Sequence, residues 1–455
     1  MKKLALFLAT LLLLTACDTP AIGSEPIWQM GYGARELIPE DLESTTYYIA
    51  GYKNDNPAVG VLDYQCVKAV YLSADGEALL LIVVDGVGLS SGQVETICQA
   101  LPRHLRKIAH VASTHTHAGI DTLGLWGPVA VDGKNETFSQ QIVEKAAEAA
   151  EQAYKTRSLG RLYYGSVTEG IEELQHDSRA PYVYDKAIHQ LRFEPLDGGN
   201  GIRILNYAAH AESLRSENAL ISADFPRYLC DAIKRGSGDD ALFLPAAIGG
   251  LIMTRRLTDE RGDEYPVTEN VIKTGELLAS AALSITEERE LPPTLRCLTK
   301  TVTIPLENQV FIAMGALGIL QNKIAPNGAG TYGLSVTTTV SLLQLGDLTV
   351  VGLPGELFPE LAYGTGDALG VSAIIREIIG ENFLVIGLFD DEIGYIVPPS
   401  DFLVHETAPY LNTVEDETGE NHYEETNSVG PETAERLLLA VAKLKTEFVL
   451  NKPNT

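Results

Sequence analysis

The sequence predicts an α/β protein: one large catalytic domain built on a mixed sheet with flanking helices, spanning residues 31–455. Short apolar runs typical of buried strands alternate along it with longer amphipathic segments typical of helices. A strand, a helix and a strand follow one another over residues 78–112, which indicates a right-handed parallel crossover. Hydrophobic residues make up 45% of the chain and charged residues 21%, as in a globular protein with a sizeable core. No internal repeat or interdomain linker is evident.

The individual elements follow from apolar periodicity, helix-capping residues and turn residues. The segment 27–58 is interpreted as irregular, and the acidic segment 406–425 as an exposed loop. Strands are predicted at 67–72, 78–84, 109–112, 161–166, 190–193, 202–209, 241–244, 295–306, 335–345, 348–353 and 383–389. Helices are predicted at 90–101, 139–156, 226–234, 268–289 and 431–445.

The N-terminal segment has the pattern of an export signal. Lys2 and Lys3 precede an apolar run, Leu4–Leu14, that is too short to span a bilayer comfortably. The tetrapeptide that ends at Cys17 resembles the bacterial lipobox, although a plain signal peptide with a chance cysteine is the alternative. The resemblance implies a lipoprotein signal peptide over 1–17, a lipid on Cys17 and a tether over 18–30. The protein would then be anchored to the cell-envelope membrane, on its periplasmic or extracytoplasmic face.

The net charge limits the possible binding partners, and the cysteine spacing limits the possible disulfides. The formal net charge of −27 argues against a nucleic-acid partner, because binding phosphates requires a basic surface. The other four cysteines, at positions 66, 98, 230 and 297, are far apart in sequence. They could form up to two disulfides, but their spacing is more typical of small buried hydrophobic residues. The sequence gives no indication of an oligomeric state.

A His-x-His motif is the strongest functional signal. The segment Ser113-Thr-His-Thr-His-Ala-Gly119 follows a predicted buried strand. Because strand side chains alternate between faces, His115 and His117 are expected to point the same way and share one site. An isolated His-x-His is more often an ordinary strand end than a metal site. Further ligands must therefore come from elsewhere in the chain.

Two further residues have the expected character. His210 and Glu356 each follow an apolar strand and lie at a turn. Together with His115 they form the set of two histidines and one carboxylate that a catalytic zinc uses while it keeps an open coordination position. Tyr395 also follows a strand, and a phenolate oxygen is a possible, though rare, fourth ligand.

The motifs, in this order, resemble those of the neutral ceramidases, metal-dependent amidases that cleave ceramide into sphingosine and fatty acid. The resemblance runs from about residue 59 to the C-terminus and implies that zinc is held by His115, His210, Glu356 and Tyr395. It also implies that His117 is a proton donor or oxyanion partner, and that Arg179 and Tyr423 contact the substrate. The matching segments are Ser113–Gly119, Asn206–Ser213, Leu353–Glu356, Gly394–Pro398, Tyr423–Glu424, Gly430–Pro431 and, more loosely, His176–Arg179.

Two departures from the family bear on the substrate. Gly250 and Ile252 stand where the family has an aspartate and a serine that is thought to matter in catalysis, and an aliphatic side chain cannot act as a nucleophile. The C-terminal β-sandwich of longer members is also not expected. The resemblance implies that the substrate is ceramide, and the departures extend this expectation to a related N-acylated lipid. The alternatives are a zinc esterase or deacylase acting on another envelope lipid, glycan or peptide, and a non-catalytic lipid-anchored binding protein.

The nature of the pocket distinguishes these alternatives, because a long apolar groove beside Glu356 favours acyl chains and a shallow polar one favours sugars or peptides. Glu212 is a candidate general base, although the sequence favours a solvated loop carboxylate. Asp85 and Asp224 are expected to support loops by accepting backbone hydrogen bonds.

Overall fold

The computed structural model describes residues 27–250, 252–417 and 419–450. The predicted signal peptide, the lipidation site at Cys17 and the tether up to residue 26 lie outside these residues. The prediction that the tether continues to residue 30 is wrong, because the first strand begins at Trp28. The Trp28 side chain is 1% exposed, and its indole N–H donates to the carbonyl of Leu291 at 2.9 Å.

Twenty strands and eight α-helices are present in the described ranges. The strands are β1 (Trp28–Leu37), β2 (Gly60–Val61), β3 (Gln65–Ala74), β4 (Glu77–Val84), β5 (Ala109–Ser113), β6 (Ser158–Val167), β7 (Gln175–His176), β8 (Ile188–Pro195), β9 (Ile202–Tyr207), β10 (Leu220–Ile221), β11 (Asp240–Pro245), β12 (Met253–Thr254), β13 (Arg289–Glu290), β14 (Leu295–Pro305), β15 (Lys323–Pro326), β16 (Leu334–Leu345), β17 (Leu348–Gly352), β18 (Glu356–Leu357), β19 (Phe383–Ile386) and β20 (Tyr395–Ile396). The helices are α1 (Ser91–Ala100), α2 (Glu136–Lys155), α3 (Phe225–Ser237), α4 (Val267–Ser284), α5 (Gln309–Ala316), α6 (Glu360–Tyr363), α7 (Ile375–Ile379) and α8 (Thr433–Leu450). Two short 3-10 helices span Pro399–Asp401 and Glu424–Asn427.

The larger sheet has the strand order β11-β9-β8-β6-β1-β3-β4-β5, with β13 paired to β6. Its centre is antiparallel, and the pairs β4–β5 and β9–β11 at its two edges are parallel. The predicted crossover through α1 is confirmed, since β4 and β5 run side by side in the same direction. Asp85 accepts the backbone N–H of Cys66 at 2.9 Å, as expected of a loop-supporting residue.

The later strands form a second sheet with the order β14-β16-β17-β19, and β15 pairs with β16. The predicted hairpin between β16 and β17 is confirmed, with Leu345 opposite Leu348. The predicted α/β class with a large mixed sheet and flanking helices is therefore confirmed, and a second, five-stranded sheet accompanies the large one. Strand periodicity shows which residues are buried, and it does not show which sheet a strand joins.

The two sheets pack face to face, and helices cover their outer faces. Helix α2 lies on β1 and β3, α3 packs on β11 and α4, and α8 lies across β14 and β16. No helix among the described residues is long and apolar enough to cross a membrane. The core between the sheets includes Val70, Leu81, Leu191 and Leu244 from the first sheet and Leu343, Val350, Leu384 and Ile386 from the second.

Strand β1 is the main element that the sequence interpretation missed. It contains Gly31 and Gly33, and a Cβ atom on either residue would collide with the backbone of α2. Glycine permits this close contact, but it interrupts the alternation of side chains by which a strand is recognised. The segment 28–37 is therefore a strand, where the sequence indicated an irregular region.

The fold brings the ends of strands from both sheets together. The backbone N–H of His117, beyond β5, donates to the carbonyl of Ala211, beyond β9, at 2.9 Å. Similarly, the N–H of Gly387, beyond β19, donates to the carbonyl of Pro245 at the end of β11, at 3.1 Å. Loops at these ends therefore share one region of the surface, where they can assemble a site.

Packing between the sheets can be tested by replacing Leu343, which is 3% exposed, with alanine. We expect the free energy of unfolding to fall by about 2–5 kcal/mol, because a large apolar side chain is lost from a closed core. Urea unfolding measures the change. Leu159→Ala, at a residue that is 49% exposed, is the control and should cost less than about 1 kcal/mol. Equal losses in the two variants would contradict the packing of the sheets.

Candidate metal centre

His115 is held by a backbone carbonyl. Its Nδ1 lies 2.5 Å from the carbonyl oxygen of Val87, in the loop after β4. A carbonyl can only accept a hydrogen bond, so Nδ1 carries the hydrogen and Nε2 of the neutral ring keeps a free lone pair. The residue is 4% exposed, and its φ of +61° lies in the left-handed region, which is uncommon outside glycine. Such backbone strain is often found at functional sites.

His210 is held in the same way. Both its backbone N–H and its Nδ1 lie 2.8 Å from the carbonyl oxygen of Ile252, so this ring also presents a free Nε2. The following residues are held by Asp224, whose carboxylate accepts the N–H groups of Ser213 and Leu214 at 3.0 Å each. The loop-supporting role that we expected for Asp224 is thus confirmed.

Glu356 brings the two histidines together. Its Oε2 lies 2.9 Å from Nε2 of His210 and 3.3 Å from Nε2 of His115. Burial alone raises the pKa of Glu356, but the two imidazoles outweigh this effect and hold the pKa well below its usual range. The group is therefore a carboxylate that is 5% exposed at the bottom of a pocket.

His117 lies beside this group. Its Nε2 is 3.1 Å from Nε2 of His115, and the ligand atoms of His115, His117 and His210 lie within 4.8 Å of one another. The ring packs against Gly51, where a Cβ atom would lie 2.5 Å from Cγ of His117. Unlike the other two rings, His117 has no backbone carbonyl on Nδ1, which lies 3.5 Å from a carboxylate oxygen of Glu212.

The donor atoms fit a divalent metal. Neutral imidazole and carboxylate are the ligands that zinc takes in catalytic sites, and donors bound at about 2.0–2.2 Å in a tetrahedron lie about 3.3 Å apart. The separations of 3.3 Å and 2.9 Å between Glu356 and the two histidines are close to this value. Rings that donate their other N–H to a carbonyl are also typical of metal ligands, because that bond sets the tautomer and the direction of the ring.

Tyr395 and Tyr423 complete the wall nearest Glu356. Strand β20 pairs with β18 so that Tyr395 is directly opposite Glu356, and the hydroxyls of the two tyrosines are 2.6 Å apart. Burial, reinforced by the charge of Glu356, raises the pKa of both phenols well above the usual value. His115, Glu356 and Tyr395, three of the four ligands implied by the motifs, therefore line one pocket together with His117 and Tyr423. The fourth, His210, is completely buried and reaches this group through Glu356, 2.9 Å from its Nε2.

Comparison with known proteins supports this fold. No family model and no curated protein matches the sequence. Among solved structures, the neutral ceramidase from Pseudomonas aeruginosa superposes with a TM-score of 0.72 at 17% identity, over 93% of this chain and 75% of that one. A ceramidase complexed with C2 gives a TM-score of 0.71 at 15% identity, over 95% and 76%. The chain has the fold of the neutral ceramidases.

In this ceramidase fold the pocket above Glu356 has a volume of about 450 Å³. One wall is the loop 123–131, which contributes Trp126 and Val129, and the other is α5, which contributes Phe311 and Met314. None of the residues of α5 is fully buried, although the helix is almost entirely apolar. The pocket is thus polar at its base and apolar towards its opening.

Arg179 lies behind the pocket and does not line it. The guanidinium pairs with Glu424 at 2.9 Å, Glu425 at 3.0 Å and Asp401 at 2.7 Å, and it is 4% exposed. Its contacts hold the segment next to Tyr423. The direct substrate contact implied by the resemblance to ceramidases remains a prediction for Arg179, whereas Tyr423 does line the pocket.

Glu212 is the residue whose environment the sequence interpretation got wrong. It was interpreted as a solvated carboxylate, yet it is 2% exposed. One carboxylate oxygen accepts the hydroxyl of Tyr52 at 2.5 Å and also faces Nδ1 of His117. Tyr52 in turn packs edge-on against the ring of His117, with centroids 5.3 Å apart. Tyr52, which also lines the pocket, and the buried Glu212 are therefore a pair that holds His117 in place.

Glu392 is a pocket residue that the sequence analysis did not single out. It lines the pocket and is 6% exposed, and its Oε1 accepts the N–H of Gly394 at 2.7 Å. Burial, with the nearby charge of Glu356, raises its pKa well above the usual value. Its position directly after an Asp-Asp pair gave no sign that it would be buried, because such acidic runs are usually solvated.

The Ile252 position has a different role from the family serine. Its side chain is completely buried against Ala208 and Ala246, and its carbonyl is the acceptor that orients His210. The backbone carbonyl of Ile252 thus orients a proposed metal ligand, whereas its aliphatic side chain has no group that can react.

His115→Ala tests the metal centre directly. We expect the purified protein to contain about one metal ion per chain, and the variant to lose most of it, because one donor of the set is gone. Elemental analysis by mass spectrometry after dialysis measures the metal content. His104→Ala, a change at an exposed histidine, is the control and should leave the metal in place. Equal metal contents in the parent and His115→Ala would contradict the assignment.

Proposed function

We propose that the protein is a zinc-dependent amidohydrolase that cleaves the amide bond of ceramide or a related N-acylated lipid. One observation carries the proposal: two histidines oriented by carbonyls converge on the carboxylate of Glu356 at the base of a pocket with apolar walls. Such a base suits a metal-assisted hydrolysis, and such walls suit a hydrocarbon chain. The ceramidase fold is consistent with both.

The pocket favours an acyl substrate over the alternatives from the sequence. Trp126, Val129, Phe311 and Met314 offer continuous apolar surface to a chain, whereas a sugar or peptide would leave its polar groups unpaired there. An ester of the same chain would fit equally well, because amide and ester hydrolysis need the same electrophile and water. A binding protein without catalysis would have no need of this set of buried metal donors beside the pocket.

In this proposal His115, His210, Glu356 and Tyr395 hold Zn²⁺. The bound ion supplies Lewis-acid polarisation of the scissile carbonyl and acidifies the attacking water. The carbonyl bonds on Nδ1 of His115 and His210 direct Nε2 of both rings at this point. The apolar wall excludes bulk water from the reacting bond, which strengthens each polar contact at the base.

His117 is the proton carrier in the proposed reaction. Its Nε2 faces the centre, so it could accept a proton from the attacking water and then deliver it to the amide nitrogen as the carbon–nitrogen bond breaks. The hydroxyl of Tyr423 can donate to the carbonyl oxygen as negative charge develops there, an interaction that can be worth about 3 kcal/mol. Tyr395, at 2.6 Å from that hydroxyl, keeps it directed into the pocket.

The proposal includes the cellular location of the protein. The lipobox-like segment supports an exported protein anchored through Cys17 to the cell envelope, which would place the pocket close to lipid substrates. Radiolabelled palmitate incorporated by cells that express the full chain, and lost in Cys17→Ala, would support the anchor.

The reaction is tested with a fluorescent short-chain ceramide and the matching O-acyl ester. We expect metal-dependent release of fatty acid from the ceramide, lost after chelation and restored by added zinc. Cleavage of the ester alone would move the protein to the esterases. Full metal occupancy without cleavage of either substrate would exclude the proposed reaction.

His117→Gln separates a proton carrier from a ligand. We expect the variant to retain its metal while kcat falls by about 10²–10⁴-fold, because a positioned acid contributes that much. Metal analysis and steady-state kinetics on the same sample give both quantities. Loss of the metal in this variant would instead make His117 a ligand.

Glu212→Gln tests the support behind His117. Glutamine can still accept the Tyr52 hydroxyl, but it loses the charge that faces Nδ1 of His117. We expect kcat to fall by about 10–100-fold with the melting temperature and metal content little changed, as for other residues that orient a site. Tyr52→Phe is the matched variant and should show a smaller effect of the same kind. An unchanged kcat in both would show that the pair only fills space.

A further inference from the structure

A second cluster of reactive side chains lies away from the metal centre. Sγ of Cys297 is 3.3 Å from Nε2 of His110, and Nδ1 of the same ring is 2.6 Å from a carboxylate oxygen of Asp390. The three residues come from β14, from β5 and from the turn after β19. A thiol, an imidazole and a carboxylate in this order form the arrangement that activates a cysteine nucleophile.

The backbone holds this cluster in place. The other carboxylate oxygen of Asp390 accepts the N–H of Val111 at 2.9 Å, and the N–H of Asp390 donates to the Val111 carbonyl at 2.7 Å. Asp390 has a φ of +64°, which turns its side chain back onto β5. The ring of His110 stacks on Phe389 with centroids 5.2 Å apart. The imidazole is thus fixed between the carboxylate and the sulfur.

The carboxylate of Asp390 favours a positively charged His110 beside the sulfur of Cys297. Burial lowers the pKa of His110, but Asp390 outweighs this effect and raises the pKa well above its usual value. An imidazolium within hydrogen-bond distance stabilises the thiolate of a neighbouring cysteine. The titratable groups that face this cluster are the three residues themselves and Cys98 from α1, which lies near Asp390.

The other described cysteines have a different environment. Burial raises the pKa of Cys66 and of Cys98 to about 12, and it raises that of Cys230 as well. Cys297 is only partly buried, on the edge strand of the second sheet. The side chains of His110 and Asp390 are 10% and 12% exposed, so the cluster lies at the rim of the core between the sheets, where small reagents can enter.

We propose that Cys297 is a nucleophilic thiol, activated by His110 and oriented through Asp390, and that it is a modification site for small electrophiles and peroxides. With an alkyl halide, the sulfur–carbon bond forms as halide leaves with the bonding electrons, and the thiol proton stays on His110. With a peroxide, a sulfur–oxygen bond forms as the oxygen–oxygen bond breaks. The sulfur is oxidised to a sulfenic acid, and the peroxide is reduced to hydroxide or alkoxide.

This site is independent of the proposed hydrolysis. His110 precedes the first proposed metal ligand by five residues on the same chain segment, and Asp390 precedes Tyr395 by five. Neither side chain lines the metal pocket. The test therefore needs no substrate and no activity measurement.

The test is limited alkylation of the folded full chain with iodoacetamide at pH 7, followed by peptide mass spectrometry. We expect Cys297 to be labelled at least about tenfold faster than Cys98, which is also only partly buried, because the rate follows the thiolate fraction. Cys66 and Cys230 serve as buried references. Labelling of Cys297 at or below the rate of Cys98 would overturn the proposal.

Asp390→Asn and His110→Asn show whether the cluster causes the reactivity. Asparagine tolerates the left-handed backbone of Asp390 and can still accept the Val111 N–H, so this variant should remain folded. We expect both changes to slow labelling by about tenfold and to move the midpoint of the pH–rate profile upwards, since the stabilising cation is lost. Circular dichroism confirms the fold. Profiles that coincide with the parent's would show that the thiol is not activated by its neighbours.

Discussion

Two backbone carbonyls, those of Val87 and Ile252, determine the direction in which the two histidine rings of the metal centre point. Each accepts the Nδ1 hydrogen of a histidine, and each therefore directs an Nε2 lone pair at the carboxylate of Glu356. Buried lone pairs and a buried negative charge facing one another repel unless a proton or a metal cation lies between them. The loops that supply the carbonyls belong to different parts of the first sheet, so the metal centre depends on the whole fold being assembled.

The residues that the sequence singled out do lie close together in the structure, but the reason for expecting this was partly wrong. His115 and His117 were expected to share a face because strand side chains alternate. In the structure β5 ends at Ser113, and the left-handed backbone of His115 turns the chain. The backbone bond from His117 to Ala211 then places both rings in one pocket. The local pattern of the sequence identifies the motif, while a contact with a residue about 95 positions later in the chain sets its geometry.

What the sequence could not predict depends on such long-range contacts. Glu212 was interpreted as solvated because a charged residue in a loop is usually exposed, and its burial arises from Tyr52, 160 residues earlier. The second sheet was not predicted for a similar reason, since β14, β15, β16, β17 and β19 have ordinary strand patterns and only their partners distinguish them. The class of the fold and the crossover were predictable, because each of them leaves a local pattern in the sequence.

The acidic segment 406–425 shows how one cation can change the character of a loop. Its composition indicates an exposed segment, but its end is buried, with Glu424 at 1% and Glu425 at 0% exposure. Arg179 pairs with both, and burial nevertheless raises the pKa of Glu424 to about 7. Carboxylates at this depth cannot remain charged without a partner, and the fold supplies it from 245 residues earlier. Because Tyr423 directly precedes these two residues, Arg179 acts on the pocket by holding its wall in place.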